Sequence, residues 1–151
     1  MLRPTKILVP TDFSHYADKA LKQALDIARE YGAEVYLVHV MPAEFRSIAD
    51  EYTDVSITSE TLEQYEEKMV ASARKKLEKQ IKRLLVDPVV KVTPETLIGR
   101  PEEEIVKFQQ EGGVDLIVIS SLGRSTFSRY LIGSVARGVL RGATCPVLLS
   151  K

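Results

Sequence analysis

The residues best suited to chemistry stand in two short polar segments, Pro10-Thr11-Asp12-Phe13-Ser14 and Ser120-Ser121-Leu122-Gly123-Arg124-Ser125-Thr126, each directly after an aliphatic run. A third group, Gly133-Ser134, falls where a helical pattern begins. A glycine at a helix start lets a phosphate approach bare backbone N–H groups, and a neighbouring hydroxyl adds a donor beside the positive end of the helix dipole. The local charge agrees, because from Leu116 to Lys151 the chain carries Arg124, Arg129, Arg137, Arg141 and Lys151 and no Asp or Glu. The pattern has two readings: an anion site, or a plain turn followed by a helix start. Asp12 also has two, as a carboxylate that takes a ribose hydroxyl or a Mg2+ ion bridging phosphates, or as a cap on the next helix.

Other chemistries lack their residues. There is no GxxxxGK[ST] loop, no GxGxxG fingerprint, no GxSxG elbow and no cysteine with an evident histidine partner. His15 is expected at the surface of a helix, and His39, at the end of a strand, as a hydrogen-bonded structural residue. The single cysteine, Cys145, excludes an internal disulfide and a thiolate zinc site. With 21 Lys+Arg against 21 Asp+Glu in 151 residues, the chain has no electrostatic reason to seek nucleic acid or an anionic membrane. Its start, MLRPTKILVPTD, has no apolar run long enough for a signal peptide or a membrane span, so the cytoplasm is the expected compartment.

The elements that must position these segments follow from periodicity. Lys6 to Pro10 reads as a strand covered on both faces. From Ser14 as N-cap to Gly32 just past the end, Ala17, Ala20, Leu21, Ala24, Ile27, Ala28 and Tyr31 repeat at helical spacing. Glu34 to Met41 is a second buried strand. The polar stretch from Pro42 to Ser59 has no period and is expected to be a mobile cover beside the site. A helix from about Glu60 to Leu85 places glutamates at its front and Arg74, Lys75, Lys76, Lys79, Lys82 and Arg83 at its back, a charge run read as a solvated face. Val89 to Leu97, interrupted by Pro94, suits an edge strand. A helix with Pro101 in its first turn follows, then a strand from Val114 to Ser120, a helix from Ile132 to Arg141 and a last strand from Cys145 to Ser150. This order calls for a single three-layer α/β domain over residues 1–151, with a mainly parallel sheet. In such sheets ligands bind beyond the carboxyl ends of the strands where the chain order reverses, which is where the polar segments lie.

Taken together, ILVPTDFS (Ile7 to Ser14), LVHVMP (Leu37 to Pro42), GRPEEEIV (Gly99 to Val106), VDLIVIS (Val114 to Ser120) and GRSTFSRYLIGSVARGVLRGATCPVLL (Gly123 to Leu149) resemble the universal stress protein family over essentially the whole chain. The resemblance implies a Rossmann-like α/β/α sandwich with a five-stranded parallel sheet in the order 3-2-1-4-5, commonly dimeric. Its ATP-binding branch carries G-x2-G-x9-G-[S/T]. Here Gly123, Gly133 and Ser134 match that motif, while Ser120 stands at its first glycine.

Carried over residue by residue, the resemblance places Pro10, Thr11, Asp12 and Val40 around adenosine, and Ser120, Ser121, Gly123, Arg124, Ser125 and Thr126 around ribose and phosphates. Ser134, Val135 and Ala136 would meet the phosphates beside Gly133, with Mg2+ held by the phosphates and Asp12. A side chain at position 120 would cost roughly 1–2 kcal/mol if the backbone there were left-handed, and its hydroxyl would be a donor to the ribose. The expected function is an ATP-binding regulatory dimer of the stress response with little or no hydrolysis, paired through the C-terminal strand from Pro146 to Ser150. The alternative is a dimeric interaction module of the same fold that binds no nucleotide. An adenylating enzyme would need an HxGH or SGGxDS signature after the first strand, and PTDFSHY contains neither.

Overall fold

The structure, a computed structural model, describes residues 2–43, 59–124 and 131–151. Its elements are β1 (Lys6–Pro10), α1 (His15–Tyr31), β2 (Glu34–Met41), α2 (Ser59–Leu84), β3 (Val92–Ile98), α3 (Pro101–Glu111), β4 (Leu116–Ser120), α4 (Ser134–Gly142) and β5 (Val147–Ser150). The strands form one parallel sheet in the order β3-β2-β1-β4-β5. Most of the expected Pro42–Ser59 cover, together with Ser125, Thr126 and Arg129, lies outside the described residues.

Aliphatic side chains alternate across the sheet and build a core on each face. Ile7, Val9, Val35, Leu37 and Val118 pack with Ala20, Leu21 and Ala24 of α1 and Leu77 of α2. On the other face Leu8, Val38, Val40, Ile117 and Ile119 pack with Ile105 of α3 and with Ala136 and Val139 of α4. Three layers result. The chain runs outward from β1 through β2 to β3, then returns to β1's other side for β4 and β5, so the order reverses between β1 and β4.

Local signals fix the helix ends. Ser14 Oγ accepts the Ala17 N–H at 3.2 Å, and Gly32 closes α1 in the left-handed conformation at φ 68°, its own N–H donating to the Ala28 carbonyl. Pro101 opens α3, where its missing N–H removes no helical hydrogen bond. Strand β3 is an edge as expected, with Pro94 opposite Leu37, but it starts at Val92 and not at Val89. Before it, Asp87 accepts the Val89 N–H through Oδ1 and the Val90 N–H through its carbonyl, and this turn leaves Val89 exposed.

Helix α2 also departs from expectation. Ala73, Leu77 and Leu84 of its apolar stripe are buried, whereas Tyr65 and Met69 are exposed. At 1.5 Å per residue its 26 residues span about 39 Å, against about 26 Å for the 8 residues of β2, so its first turns run past the sheet. Among the described residues no helix is long and apolar enough to cross a membrane.

Candidate functional site

A cavity of about 280 Å³ opens at the carboxyl ends of β1, β2 and β4, at the point where the strand order reverses. Val38, Val40, Ile105, Ile119 and Ala136 give it an apolar base continuous with the second core. Its other side is polar: Thr11 and Asp12 after β1, Ser120, Gly123 and Arg124 at the end of β4 and beyond, and Gly133, Ser134 and Val135 at the start of α4. Such a cavity suits a ligand with an apolar part and a polar or anionic end.

The anionic end is set by the start of α4. The Gly133 N–H donates to the Ser121 carbonyl at 2.8 Å, and the Gly133 carbonyl accepts the Arg137 N–H at 3.0 Å. The N–H groups of Ser134, Val135 and Ala136 therefore belong to the first helical turn, which offers them no acceptor within the helix, and no side chain caps it. They line the cavity at the positive end of the helix dipole, with the Ser134 hydroxyl beside them.

Asp12 clamps the two loops together. Its Oδ1 accepts the Ser14 N–H at 3.0 Å, and its Oδ2 accepts the Arg124 N–H, also at 3.0 Å. It is thus the hinge of a turn two residues before the helix N-cap, while Ser14 is the cap itself.

Behind Asp12, Phe13 holds a left-handed backbone at φ 65°, the only positive φ of a non-glycine residue among those described. Its N–H donates to Thr11 Oγ1 at 3.0 Å, and its ring meets that of His39 at a tilt of 40°, with 4.5 Å between centroids. Strain of this kind persists only where neighbours over-determine it.

Thr11 links this corner to α2. Its hydroxyl donates to Gln80 Oε1 at 3.0 Å, Gln80 Nε2 donates to Asp18 Oδ1 at 2.9 Å, and Arg83 closes the network on Asp18 at 2.9 and 3.0 Å. Gln80 is only 3% exposed, so the charge run of α2 read as a solvated face includes a buried polar joint. His39 Nδ1 lies 2.8 Å from the Thr11 carbonyl, which makes it the protonated nitrogen. Burial outweighs that carbonyl and pulls the imidazole below its usual pKa, with the Lys76 charge adding to the effect.

Pro10, Thr11, Asp12, Val40, Ser120, Gly123, Arg124, Gly133, Ser134, Val135 and Ala136 all line the cavity. Ser121 does not: it is buried, its N–H donating to the Ser150 carbonyl and its carbonyl accepting from Gly133. Ser120 corrects an expectation. It is the last residue of β4, in extended pairing with Ser150 and without a left-handed backbone, so its side chain carries no strain of that kind. Its hydroxyl donates to the Leu122 carbonyl at 2.7 Å and is therefore not a free donor. Val38, Ile105 and Ile119 were not singled out by sequence, because aliphatic residues in buried elements read as core.

Comparison with known protein families matches residues 4–151 to the universal stress protein family. The chain belongs to this family. Among its relatives, universal stress protein MJ0531 of Methanocaldococcus jannaschii is 34% identical over 146 residues, covering 97% of this chain and 81% of that protein. Universal stress protein MJ0577 of the same organism is 35% identical over 153 residues, covering 97% and 94%. Its solved structure superposes with a TM-score of 0.81 at 32% identity, over 99% of this chain and 97% of that one. A universal stress protein from Archaeoglobus fulgidus, solved in complex with dAMP, superposes with a TM-score of 0.59 at 26% identity, over 99% and 100%.

Proposed function

We propose that this universal stress protein binds an adenine nucleotide, ATP, in the cavity between β1, β4 and α4, and that it acts as a nucleotide-responsive regulatory homodimer paired through β5. One observation carries the reading: the N–H groups of the first turn of α4 and the Ser134 hydroxyl open onto a cavity whose other end is an apolar base. The base of the nucleotide lies against Val38, Val40 and Ile119, the ribose beside Asp12 and Ser120, and the phosphates at Ser134, Val135 and Ala136. The dAMP complex of the Archaeoglobus fulgidus relative supports an adenine ligand.

Mg2+ fits this arrangement in a limited way. Each Asp12 oxygen already accepts one backbone N–H and retains one lone-pair direction, and among the described residues no three His, Cys, Asp or Glu side chains gather as a metal cluster. Asp12 would supply at most one ligand, with phosphate oxygens and water completing an octahedral shell. Turnover is slow on this reading, because among the described residues lining the cavity no second carboxylate stands beside Asp12 to help activate water against a terminal phosphate.

Mass spectrometry of nucleotide retained by the purified chain, followed by calorimetric titration with ATP, tests the proposal. Retained adenine nucleotide and saturable one-to-one binding are expected. A chain that carries none and gives no heat with ATP would point to the interaction module without a nucleotide.

A further inference from the structure

A volume of about 280 Å³ lies just below the range of pockets that enclose their ligand, roughly 300–1,000 Å³. A nucleoside polyphosphate seated there extends its phosphate chain beyond the rim. Ser134 stands on that rim and also lines a second, wider cavity of about 500 Å³ along the seam between α3 and α4.

Gly138 and Gly142 floor that seam and bring the helices close. A Cβ on Gly138 would stand 2.6 Å from Cβ of Glu102, and one on Gly142 would stand 3.0 Å from Cγ2 of Val106. Arg137 and Arg141 form one wall of the second cavity and Glu102 the other. The Glu102 carboxylate is turned to Arg100, 3.7 Å away. The two arginines are exposed, and among the described residues neither guanidinium has an ion pair or a hydrogen-bond partner. Four residues apart, they share one side of α4. They follow Ser134 by about 4.5 Å and 10.5 Å along the axis, at 1.5 Å per residue.

We propose that Arg137 and Arg141 form a distal anion subsite that reads the length of the ligand's phosphate chain, favouring nucleoside triphosphates and dinucleoside polyphosphates over monophosphates. The inference rests on the nucleotide reading above. The first phosphate sits on the amides that open α4, and each further phosphate passes Ser134 towards Arg137 and then Arg141. A guanidinium offers a planar fork of donors that matches phosphate oxygens, and one without an internal partner gives up no existing pair to do so. A monophosphate ends before it reaches either.

Calorimetric titration of the full chain with AMP, ATP and diadenosine tetraphosphate at one ionic strength tests this. The wild type should bind ATP at least about tenfold more tightly than AMP, and the tetraphosphate at least as tightly as ATP. In the Arg137→Ala/Arg141→Ala double variant the ATP-to-AMP ratio should fall to within about threefold, whereas Arg29→Ala, at the far end of α1, should retain the wild-type ratio. Equal affinities for AMP and ATP in the wild type, or an undiminished ratio in the double variant, would overturn the subsite while leaving nucleotide binding intact. No heat with any of the three ligands would overturn the nucleotide reading and the subsite with it.

Discussion

The Oδ2 atom of Asp12 lies 2.9 Å from the point where a Cβ on Gly123 would stand. With no side chain at position 123 the loop after β4 approaches the Asp12 carboxylate directly, and the closure of the two loops is held by the Arg124 N–H on that same oxygen. Gly123→Ala should push the carboxylate off the Arg124 amide. Hydrogen bonds to charged groups contribute about 1.5–3 kcal/mol, and for a half-buried carboxylate we expect a loss near the lower figure in urea unfolding. In an Asp12→Ala background the same substitution should cost only a few tenths. Equal losses in the two backgrounds would mean that the methyl meets something other than Asp12.

Gly133→Val addresses the phosphate end. With φ −57° and ψ 154°, Gly133 has a backbone open to β-branched residues, and its N–H to Ser121 survives the change. The fold should persist with only the small drop in unfolding midpoint expected when valine replaces glycine at an N-cap, while the isopropyl group blocks the approach to the amides of α4. We expect ATP affinity in calorimetric titration to fall at least about tenfold. Wild-type affinity in this variant would remove the start of α4 from the site.

Acid sensitivity should come from two carboxylates. At Asp115, burial raises the pKa, but the Thr5 hydroxyl at 2.7 Å and the Lys6 and Thr5 N–H groups at 3.0 Å outweigh it and hold the group below its ordinary value. At Asp18 the hydrogen bonds from Arg83 and Gln80 and the Arg83 charge likewise override burial. A depressed folded-state pKa stabilises fully above the unfolded value, near 3.9 for Asp, and the contribution is lost as pH falls through the folded value. Urea midpoints should therefore drop below about pH 4, and Asp115→Asn should flatten that limb. An unchanged acid limb would show that the clasp between the starts of β1 and β4 contributes nothing.

Much of this architecture is legible in the sequence, because its signals are local. Ser14 and Gly32 bracket α1 by their own side chain and φ, and the aliphatic runs of β1 and β4 place the polar segments at strand ends. What escapes depends on partners distant in sequence. Gln80 sits in a charged stretch, and only the arrival of Thr11 from 69 positions away gives it a buried role. The backbone at Ser120 is governed by its pairing with Ser150, which no motif spacing records. The exposed first turns of α2 follow from the length of β2, a property of the sheet and not of the helix.

The open edge of β5 yields the last prediction. Ile117 N–H donates to the Pro146 carbonyl and Ser121 N–H to the Ser150 carbonyl, so the even-numbered residues of this strand face β4. In a parallel ladder the alternate residues, Val147 and Leu149, then direct their N–H and C=O groups away from β4. That is the pairing surface a second copy needs, and a two-fold axis would make it self-complementary. Val147→Pro removes an outward N–H and leaves the β4–β5 bonds in place, so a wild-type dimer should become a folded monomer in size-exclusion chromatography with light scattering. Leu148→Pro, by contrast, strikes the inner ladder and should lower the unfolding midpoint. If the wild type already runs as a monomer at tens of micromolar, where a dimer needs about 6 kcal/mol of association free energy, the edge is protected in some other way and pairing through β5 is lost from the proposed function.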